Sequence, residues 1–260
     1  MLSRTVRYEG TNKLGRSTSA RWLPTWNISG AWNAHEEKFW QTLEPTLSNF
    51  TLKASYLLTA DRGPADVSNS LVIIQSYNPW RPFTNVKESG LLLKDVENSA
   101  LTYEKKHELN IGAEIGFIDN RINFAIDWYK RDNYDLIGLV NSAGTGVKIT
   151  KFANVASMKS HGVELTLSTK NIRTKDFSWN TDFIFSHAKN EVTDLQSNAR
   201  VIEMITGTGF TMAGYPVRSL FSIDFQGLNE YGLPTFINEN GELTVSGLNF
   251  QKTMKKAHLV

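Results

Sequence analysis

The sequence predicts an all-β fold, an antiparallel transmembrane β-barrel segment of about seven strands with long extracellular loops. Three observations predict it. Apolar and polar residues alternate in about seven segments of roughly ten residues, which is the length of a tilted membrane-spanning strand. The connections between these segments alternate between short and long. Aromatic residues stand at the ends of the apolar faces.

The clearest pair of segments lies between His107 and Arg131. Leu, Ile, Ala and Phe occupy every second position of the first arm, and the second arm repeats this pattern up to Trp128. A period of two places apolar side chains on one face of a strand and polar side chains on the other. Asp119 and Asn120 tolerate the left-handed conformation of a tight turn, so the two arms form an antiparallel hairpin. The seven predicted segments are about 3–11, 22–33, 50–59, 107–118, 121–131, 161–170 and 177–188.

The connections fall into two classes of length. The short and moderate ones are 119–120, 171–176 and 34–49, the last with a short helical turn over 35–47. The long ones are 60–106 and 132–160, and 12–21 falls on their side if the strands run alternately up and down. A compact soluble domain seldom has such structureless loops, whereas an outer-membrane barrel has short periplasmic turns and long outer loops.

Aromatic residues mark both ends of the predicted lipid-facing surface. Trp22 and Trp32 lie at the two ends of one apolar face. A tilted strand of ten residues spans roughly 25 Å, the height of the lipid-facing band of a barrel. Amphipathic rings gather at both water–membrane interfaces. The predicted girdle residues are Trp32, Phe50, Phe117 and Trp179 at the periplasmic level, and Trp22 and Trp128 at the outer level.

The opposite faces carry charged and amide side chains in the middle of strands, among them Lys53, Glu114 and Asp127. In a barrel these side chains face a wet interior. A soluble β-sandwich with an apolar core and a polar outer surface shows the same alternation. A β-sandwich that binds carbohydrate is therefore the alternative interpretation.

Composition narrows the classes of function. The chain has 260 residues, no cysteine and a net charge of +2, so it has no disulfide, and its charge does not indicate a nucleic-acid partner. No apolar run is long enough for a spanning helix. The first ten residues lack the apolar centre of a signal peptide. This fits either a cytoplasmic protein or a piece of an exported one. The five histidines lie far apart, so we expect no metal site, no cofactor and no catalytic residue.

One stretch of the 60–106 connection is a candidate ligand-binding site. Aromatic rings with a neighbouring guanidinium group can stack on sugars or hold a protein partner. They can equally pack a loop against the barrel rim. The candidate ligand-binding residues are Tyr77, Trp80, Arg81 and Phe83.

Short motifs spread along the chain carry a family resemblance. In chain order they are 7–11 with 14–15, 21–25 with Trp32, 52–56, 101–105 with 110–112, 127–131 with 135–137, 154–165, 179–181 with 190–192, and 214–217. In this order, over nearly the whole chain, they resemble the barrel motifs of the SusC/RagA family of TonB-dependent outer-membrane transporters. The sequence departs from the family pattern at Leu57 and Ala156, where the family has glycine.

The resemblance implies a barrel of about 22 strands closed around a plug domain in the outer membrane of a Gram-negative, Bacteroidetes-like cell. It further implies an importer of glycan oligosaccharides, or less readily of peptides, that is energised through TonB and covered by a SusD-like surface lipoprotein.

We expect residues 1–260 to be a partial barrel domain that lacks the plug domain and the final strands. Residues 189–260 are expected to form an extracellular loop region, and TonB is expected to contact an N-terminal region outside the chain. A passive porin-type barrel is the other alternative, because the plug and the TonB contact would both lie upstream.

Overall fold

A computed structural model describes residues 1–44, 46–63, 72–79, 89–95, 97–142, 149–196, 211–247 and 255–256. The chain divides into two units, Met1–Lys189 and Asn190–Val260.

A seven-stranded antiparallel sheet with the order β1-β2-β3-β6-β7-β8-β9 dominates the fold. Its strands are β1 Leu2–Gly10, β2 Trp22–Asn33, β3 Leu47–Asp61, β6 Glu104–Phe117, β7 Ile122–Ser142, β8 Ile149–Arg173 and β9 Ser178–Leu195. Strands that are neighbours in this sheet also follow one another along the chain, with only the 62–103 connection inserted between β3 and β6. A barrel wall built by successive hairpins has this order. This confirms the seven predicted segments and the all-β fold class.

The predicted hairpin turn between β6 and β7 is confirmed. Asp119 and Asn120 have φ angles of 53° and 56°, and Ile118 also has a φ of 53°. A β-branched residue rarely adopts this conformation. The turn is held from outside, because the Ile118 amide donates to the Thr46 carbonyl at 3.1 Å and the Asn49 side chain donates to Asn120 at 2.6 Å.

The moderate connection between β2 and β3 contains the predicted helical turn as two short 3-10 helices, Ala34–Glu36 and Lys38–Thr42. Trp40 is buried there. Its indole ring stacks on Phe50 with centroids 6.2 Å apart, and its N–H donates to the Leu47 carbonyl at 2.9 Å. The connection between β2 and β3 is therefore a compact, packed turn.

The prediction of a long loop over 132–160 is wrong. β7 continues to Ser142 and β8 begins at Ile149, so most of this stretch is a hairpin that extends beyond the predicted segments. The alternation is interrupted because Asp135 has a φ of 58° and the pairing register shifts between Asn133 and Ile137. A bulge adds a residue and moves the following side chains to the opposite face, which hides the strand from a period-two search.

The 60–106 stretch is also not a structureless loop. It contains the two-stranded antiparallel sheet β4 Ile73–Tyr77 and β5 Gly90–Asp95. The 11–21 connection contains the single helical turn α1 Thr18–Arg21, capped by the Ser17 hydroxyl, which accepts from the Ala20 amide.

The second unit contains short strands. These are β10 Phe221–Ser222 paired with β14 Lys255–Lys256, and a three-stranded sheet of β11 Phe225–Leu228, β12 Pro234–Ile237 and β13 Leu243–Thr244. The turn between β12 and β13 is organised by the Asn238 side-chain oxygen, which accepts from the amides of Asn240 and Glu242. The assignment of 189–260 to an extracellular loop region stays a prediction.

Candidate functional site

The pairing register sorts the side chains of the seven-stranded sheet into two faces. Leu52 of β3 pairs with Ala113 of β6, Ala113 with Ile126 of β7, and Ile126 with Leu165 of β8. Directly paired residues point to the same face of a sheet. The predicted apolar residues of successive strands therefore form continuous rows on one face, which we call the apolar face.

The apolar face is exposed over much of its area. Residues on it that are roughly 40–50% exposed are Trp22 45%, Ile28 48%, Trp32 47%, Leu52 40%, Ile111 42% and Trp128 39%. On β9, Trp179, Phe183 and Phe185 share the side of Thr181, whose hydroxyl accepts a hydrogen bond from Asn171 of β8. Their exposure is 53%, 54% and 48%. An apolar surface of this extent requires an apolar partner.

Three predicted girdle residues follow a regular diagonal. Trp32 pairs with Leu52, which lies two residues after Phe50; Phe50 pairs with Ile115, two residues before Phe117. A constant step from strand to strand is the geometry of residues at one level on tilted strands. Trp22 stacks on Tyr8 of β1 with centroids 5.2 Å apart. The membrane levels of all six aromatic residues stay predictions.

The opposite face, here called the polar face, carries the predicted charged and amide side chains. Lys53 of β3 forms an ion pair with Glu114 of β6. Glu108, only 8% exposed, lies between Lys106 and Arg131, and both its ion pairs measure 3.0 Å. Shallow depressions on this face are lined by side chains such as Ser29, Ser55, Asn110 and Asp127. The face can therefore line a hydrated space or contact polar protein surface.

A tyrosine on the polar face covers a glycine of the neighbouring strand. Tyr129 of β7 is 8% exposed and pairs with Gly162 of β8. A Cβ at Gly162 would lie 2.6 Å from the tyrosine ring and 2.7 Å from the His187 carbonyl of β9. The guanidinium carbon of Arg131 lies over the same ring, 4.0 Å from its centroid. The stack links β7, β8 and β9 at one point.

The 11–21 and 62–103 connections and the outer part of the β7–β8 hairpin lie at one end of the sheet, here called the long-connection end. This end contains a small buried cluster. Leu14 and Leu101 are fully buried and Tyr103 is 2% exposed. They pack with Leu23, Ala60, Ile137 and Phe152. Gly15 has a φ of 26°, and a Cβ there would lie 2.6 Å from the Ser99 carbonyl. The 11–21 and 97–103 segments therefore pack directly on the ends of the strands.

The side chain of Asn154 ties the 97–103 segment to the extended hairpin. Its oxygen accepts from the Thr102 amide at 2.9 Å, and its nitrogen donates to the Thr102 carbonyl at 2.9 Å and to the Asp135 carbonyl at 2.6 Å. Asn98 adds a bond of 2.9 Å to the Phe152 carbonyl. Side-chain amides replace strand pairing here, where the bulge leaves backbone groups without a ladder partner.

Glu104 completes this end of the sheet and lies outside the paired apolar rows. Its carboxylate accepts from the Ile137 amide at 2.7 Å. Burial raises the pKa of this carboxyl above its ordinary value, the hydrogen bond from Ile137 acts in the opposite direction, and Asp61 adds to the rise.

The candidate ligand-binding loop is only partly described. Tyr77 lies at the end of β4 and is 51% exposed. Trp80, Arg81 and Phe83 lie outside the described residues. The ligand-binding assignment of the four residues stays a prediction.

The ranges that the structure describes contain no group of three or more His, Cys, Asp or Glu that could hold a metal ion. None of the helices in that part of the chain combines the length and apolar character needed to cross a membrane.

Comparison with known proteins decides the family. The sequence model of the TonB dependent receptor-like, beta-barrel family matches residues 5–250. The chain belongs to this TonB-dependent receptor family.

Individual family members are similar over most of this chain. The TonB-dependent receptor SusC of Bacteroides thetaiotaomicron is 27% identical over 194 residues, 74% of this chain and 19% of SusC. The TonB-dependent receptor P3 of Formosa agariphila is 24% identical over 238 residues, 88% of this chain and 23% of P3. The chain thus spans about a fifth of the length of these relatives, which are receptors and not enzymes.

Solved structures show the same fold. The structure of the RagAB peptide transporter matches 98% of this chain and 27% of its own, with a TM-score of 0.80 and 22% sequence identity. The RagAB peptide importer in the open-open state matches with a TM-score of 0.79. The seven-stranded sheet is therefore part of a TonB-dependent receptor barrel, and the SusC/RagA resemblance is confirmed.

The structure shows contacts between distant residues that sequence patterns did not reveal. Leu14, Leu101 and Asn154 belong to three separate motifs of the resemblance, yet they meet at one end of the sheet. The sequence signal for these three residues was that each lies in a motif of the family resemblance. The Tyr129–Gly162 contact had no signal in a single sequence, because it depends on the pairing register.

Proposed function

We propose that this chain supplies part of the wall and outer loops of an outer-membrane nutrient importer energised through TonB. The observation that carries the proposal is the register, which gathers exposed apolar side chains on one face and charged ones on the other. In this proposal the apolar face contacts the lipids of the outer membrane of a Gram-negative, Bacteroidetes-like cell. The polar face borders the plug cavity.

The proposed substrate is a glycan oligosaccharide, with a peptide as the alternative. The SusC-like relatives support an importer, and the RagAB structures are described as a peptide transporter. The proposed partners are a SusD-like lipoprotein on the outer side and TonB, which would contact a region N-terminal to this chain. The long-connection end, with Tyr77 exposed, is the part of the chain that would meet substrate and lipoprotein.

Of the alternatives, the soluble β-sandwich fits the structure poorly. A sandwich buries the apolar face of each sheet against a second sheet about 10 Å away. Ile111 is 42% exposed, and Phe124, Ile126 and Leu165 lie side by side on one sheet. A passive porin would share the same wall, and differs only in the plug and the TonB contact.

The test uses the absence of cysteine from the chain. The variants Ile126→Cys and Asp127→Cys would be made in the protein expressed from its own gene, with any cysteine encoded outside these 260 residues replaced by serine, and labelled in intact membranes. We expect Ile126→Cys to react with a membrane-soluble maleimide and Asp127→Cys with a charged one, since they lie on opposite faces. The neighbouring pair Phe124→Cys and Asn123→Cys should repeat the result.

Two outcomes would contradict the proposal. Reaction of both members of a pair with the charged reagent would show that neither face meets lipid. Protection of Ile126→Cys from both reagents, with the protein recovered without detergent, would instead indicate a dry sandwich core.

Loss of uptake of labelled oligosaccharides, but not of peptides, on deletion of the gene would support the glycan substrate.

A further inference from the structure

Two turns of the second unit are built in the same way. Asn229 begins the turn between β11 and β12, and Asn238 begins the turn between β12 and β13. The Asn229 side-chain oxygen accepts from the amides two and four residues further on, at 3.0 Å and 2.9 Å. The Asn238 side-chain oxygen does the same at 2.9 Å and 2.8 Å. One asparagine side chain therefore holds each turn closed.

The backbones of the two turns match as well. Gly232 and Gly241 each donate to the carbonyl of the asparagine that begins their turn, at 2.9 Å and 3.1 Å. Their φ angles are 73° and 84°, and a Cβ on either glycine would meet nothing within 4 Å. The two turns therefore differ mainly in the residue before the glycine, which is Tyr231 in the first and Asn240 in the second.

This difference gives the second turn a reactive dipeptide. Asn240 and Gly241 are both exposed, and Asn-Gly occurs once in the sequence. Asparagine is thermolabile, because the backbone nitrogen of the next residue can attack its side-chain carbonyl carbon. Glycine hinders this attack least, since it has no Cβ and the widest range of backbone conformations. The first turn has no group that can react in this way, because a tyrosine precedes its glycine.

We propose that Asn240 is a modification site, at which deamidation through a cyclic imide opens the hairpin of β12 and β13. The Gly241 nitrogen forms a bond to Cγ of Asn240, the bond from Cγ to Nδ2 breaks, and the amide proton leaves with Nδ2 as ammonia. Water then cleaves the imide at Cγ, which gives aspartate, or at the main-chain carbonyl carbon, which gives isoaspartate. One water is consumed and one ammonia is released. The proposal does not depend on the proposed function.

The same turn controls the rate of this reaction. The attacking nitrogen must lose its proton, but the Gly241 N–H is held by the Asn238 carbonyl. The attack therefore follows a local opening of the turn, which costs far less free energy than global unfolding. The Asn238 side chain governs how often the turn opens, since it accepts two of the hydrogen bonds that close it.

The isoaspartate product does not fit the closed turn. Its main chain runs through Cβ and Cγ and so contains one more carbon atom before Gly241. The turn is closed across this point by the Asn238 amide, which donates to the Glu242 carbonyl at 2.9 Å. The next pair along the hairpin is Ile237 with Leu243. Because β13 has two residues, we expect loss of the turn to separate it from β12.

The test follows heavy oxygen, because the water that cleaves the imide leaves its oxygen in the product. The protein, purified in detergent from cells that express its own gene, would be incubated in heavy-oxygen water near neutral pH. It would then be digested at acidic pH, where imide formation is slow, and analysed by mass spectrometry. Label should appear at Asn240 and be undetectable at Asn229 and Asn238, each of which precedes a glutamate. Isoaspartate methyltransferase should methylate the same peptide.

Three variants test the control by the turn. Asn238→Ala should accelerate labelling of Asn240 roughly tenfold, the order expected from loss of two hydrogen bonds. Asn229→Ala is the matched control, because it removes the same two bonds from the other turn and should leave the rate at Asn240 unchanged. Tyr231→Asn gives the first turn the same dipeptide and should make position 231 a second site of labelling at a similar rate.

Two results would overturn the assignment of the site. One is equal labelling of Asn229, Asn238 and Asn240. The other is an unlabelled Asn240 after an incubation many times longer than the free peptide 236–244 needs for conversion. Both comparisons use the unsubstituted protein, so they decide the question even if a variant does not fold.

The effect on the hairpin is measured by hydrogen exchange of residues 242–244. Exchange should be fast in the isoaspartate fraction and slow in the unmodified protein. Asn240→Asp is the control, because it carries the new charge on a main chain of normal length and should keep slow exchange. Slow exchange in the isoaspartate fraction would contradict the opening of the hairpin. The labelling of Ile126→Cys reports on a different unit, so the proposed function stands or falls separately.

Discussion

Gly162 is a residue at which the wall is closely packed on both a side chain and a backbone carbonyl. Its missing Cβ leaves room for the Tyr129 ring, and the nearest backbone atom, the His187 carbonyl, would lie 2.7 Å from an added carbon. The ring can move slightly, whereas the paired backbone of β9 cannot move without loss of its ladder. A side chain at this position must therefore strain the contact among three strands.

We expect Gly162→Ala to destabilise the folded protein by about 1–3 kcal/mol, the usual cost of overpacking. The measurement is the thermal midpoint of the heat-sensitive mobility shift in detergent. The matched control is Gly30→Ala, because the nearest atoms to a Cβ there lie 3.8 Å and 3.9 Å away, which is ordinary contact. Equal midpoints for the two variants would show that Tyr129 does not pack on Gly162.

Asn154 has a comparable role in hydrogen bonding. All of its bonds go to backbone groups of other segments. A leucine or valine of the same size could fill the space, but it would leave the Thr102 amide and two carbonyls without partners. The residue type follows from this need for both a donor and an acceptor.

At the scale of elements, the long connections are anchored at their bases. The 97–103 segment rests on the β7–β8 extension through Asn154 and Asn98, and on the 11–21 connection through Leu14. Arg16 adds a hydrogen bond from its amide to the Ser99 carbonyl at 3.2 Å and an ion pair with Glu97 at 2.7 Å. The 11–21 segment, the 97–103 segment and the β7–β8 extension are therefore held together at the same end of the sheet.

We expect Asn154→Asp to release the 97–103 segment without unfolding the sheet. A carboxylate keeps the acceptor for the Thr102 amide but places negative charge against two carbonyl oxygens, at a cost of about 1–3 kcal/mol. Hydrogen exchange of residues 97–103 should accelerate markedly while exchange in β6 stays slow. Asn123→Asp, whose side chain bonds to the Asn120 carbonyl in the hairpin turn, is the control and should leave 97–103 protected. Unchanged exchange in Asn154→Asp would contradict the anchoring role.

At the scale of the whole molecule, the seven-stranded sheet has one apolar and one polar face. The register leaves no freedom in this arrangement, since a slip of one residue would exchange the two faces along an entire strand. The paired rows run unbroken from β2 to β8. The proposed insertion into the outer membrane follows from this division.

Ile126→Arg places a charge on the apolar face, and we expect it to cost roughly 2–4 kcal/mol in the intact barrel, the range for a cation near the bilayer midplane. Asp127→Asn removes a charge from the polar face, where the side chain is exposed, and should be mild. Urea unfolding in lipid vesicles and the yield of assembled protein measure both. A larger loss for Asp127→Asn than for Ile126→Arg would show that the faces are assigned the wrong way round.

Prediction from sequence succeeded where structure depends on local periodicity. The hairpin around Asp119 and Asn120 was predicted because its turn residues and its alternation are both local. The β7–β8 extension was missed because the bulge at Asp135 breaks the period. The 60–106 connection was misjudged as well, since its short β4 and β5 strands pair across a long gap.

The sequence by itself determined that the chain is built of amphipathic strands, because alternation is a property of neighbouring residues. It also identified the family, because the motifs occur in the family's order. Only the tertiary structure decided which strands share a row, and so brought Leu14 to Leu101, Tyr129 to Gly162, and Lys130 to His161. The physical reason is that register is set by the simultaneous pairing of many strands, and no single segment contains that information.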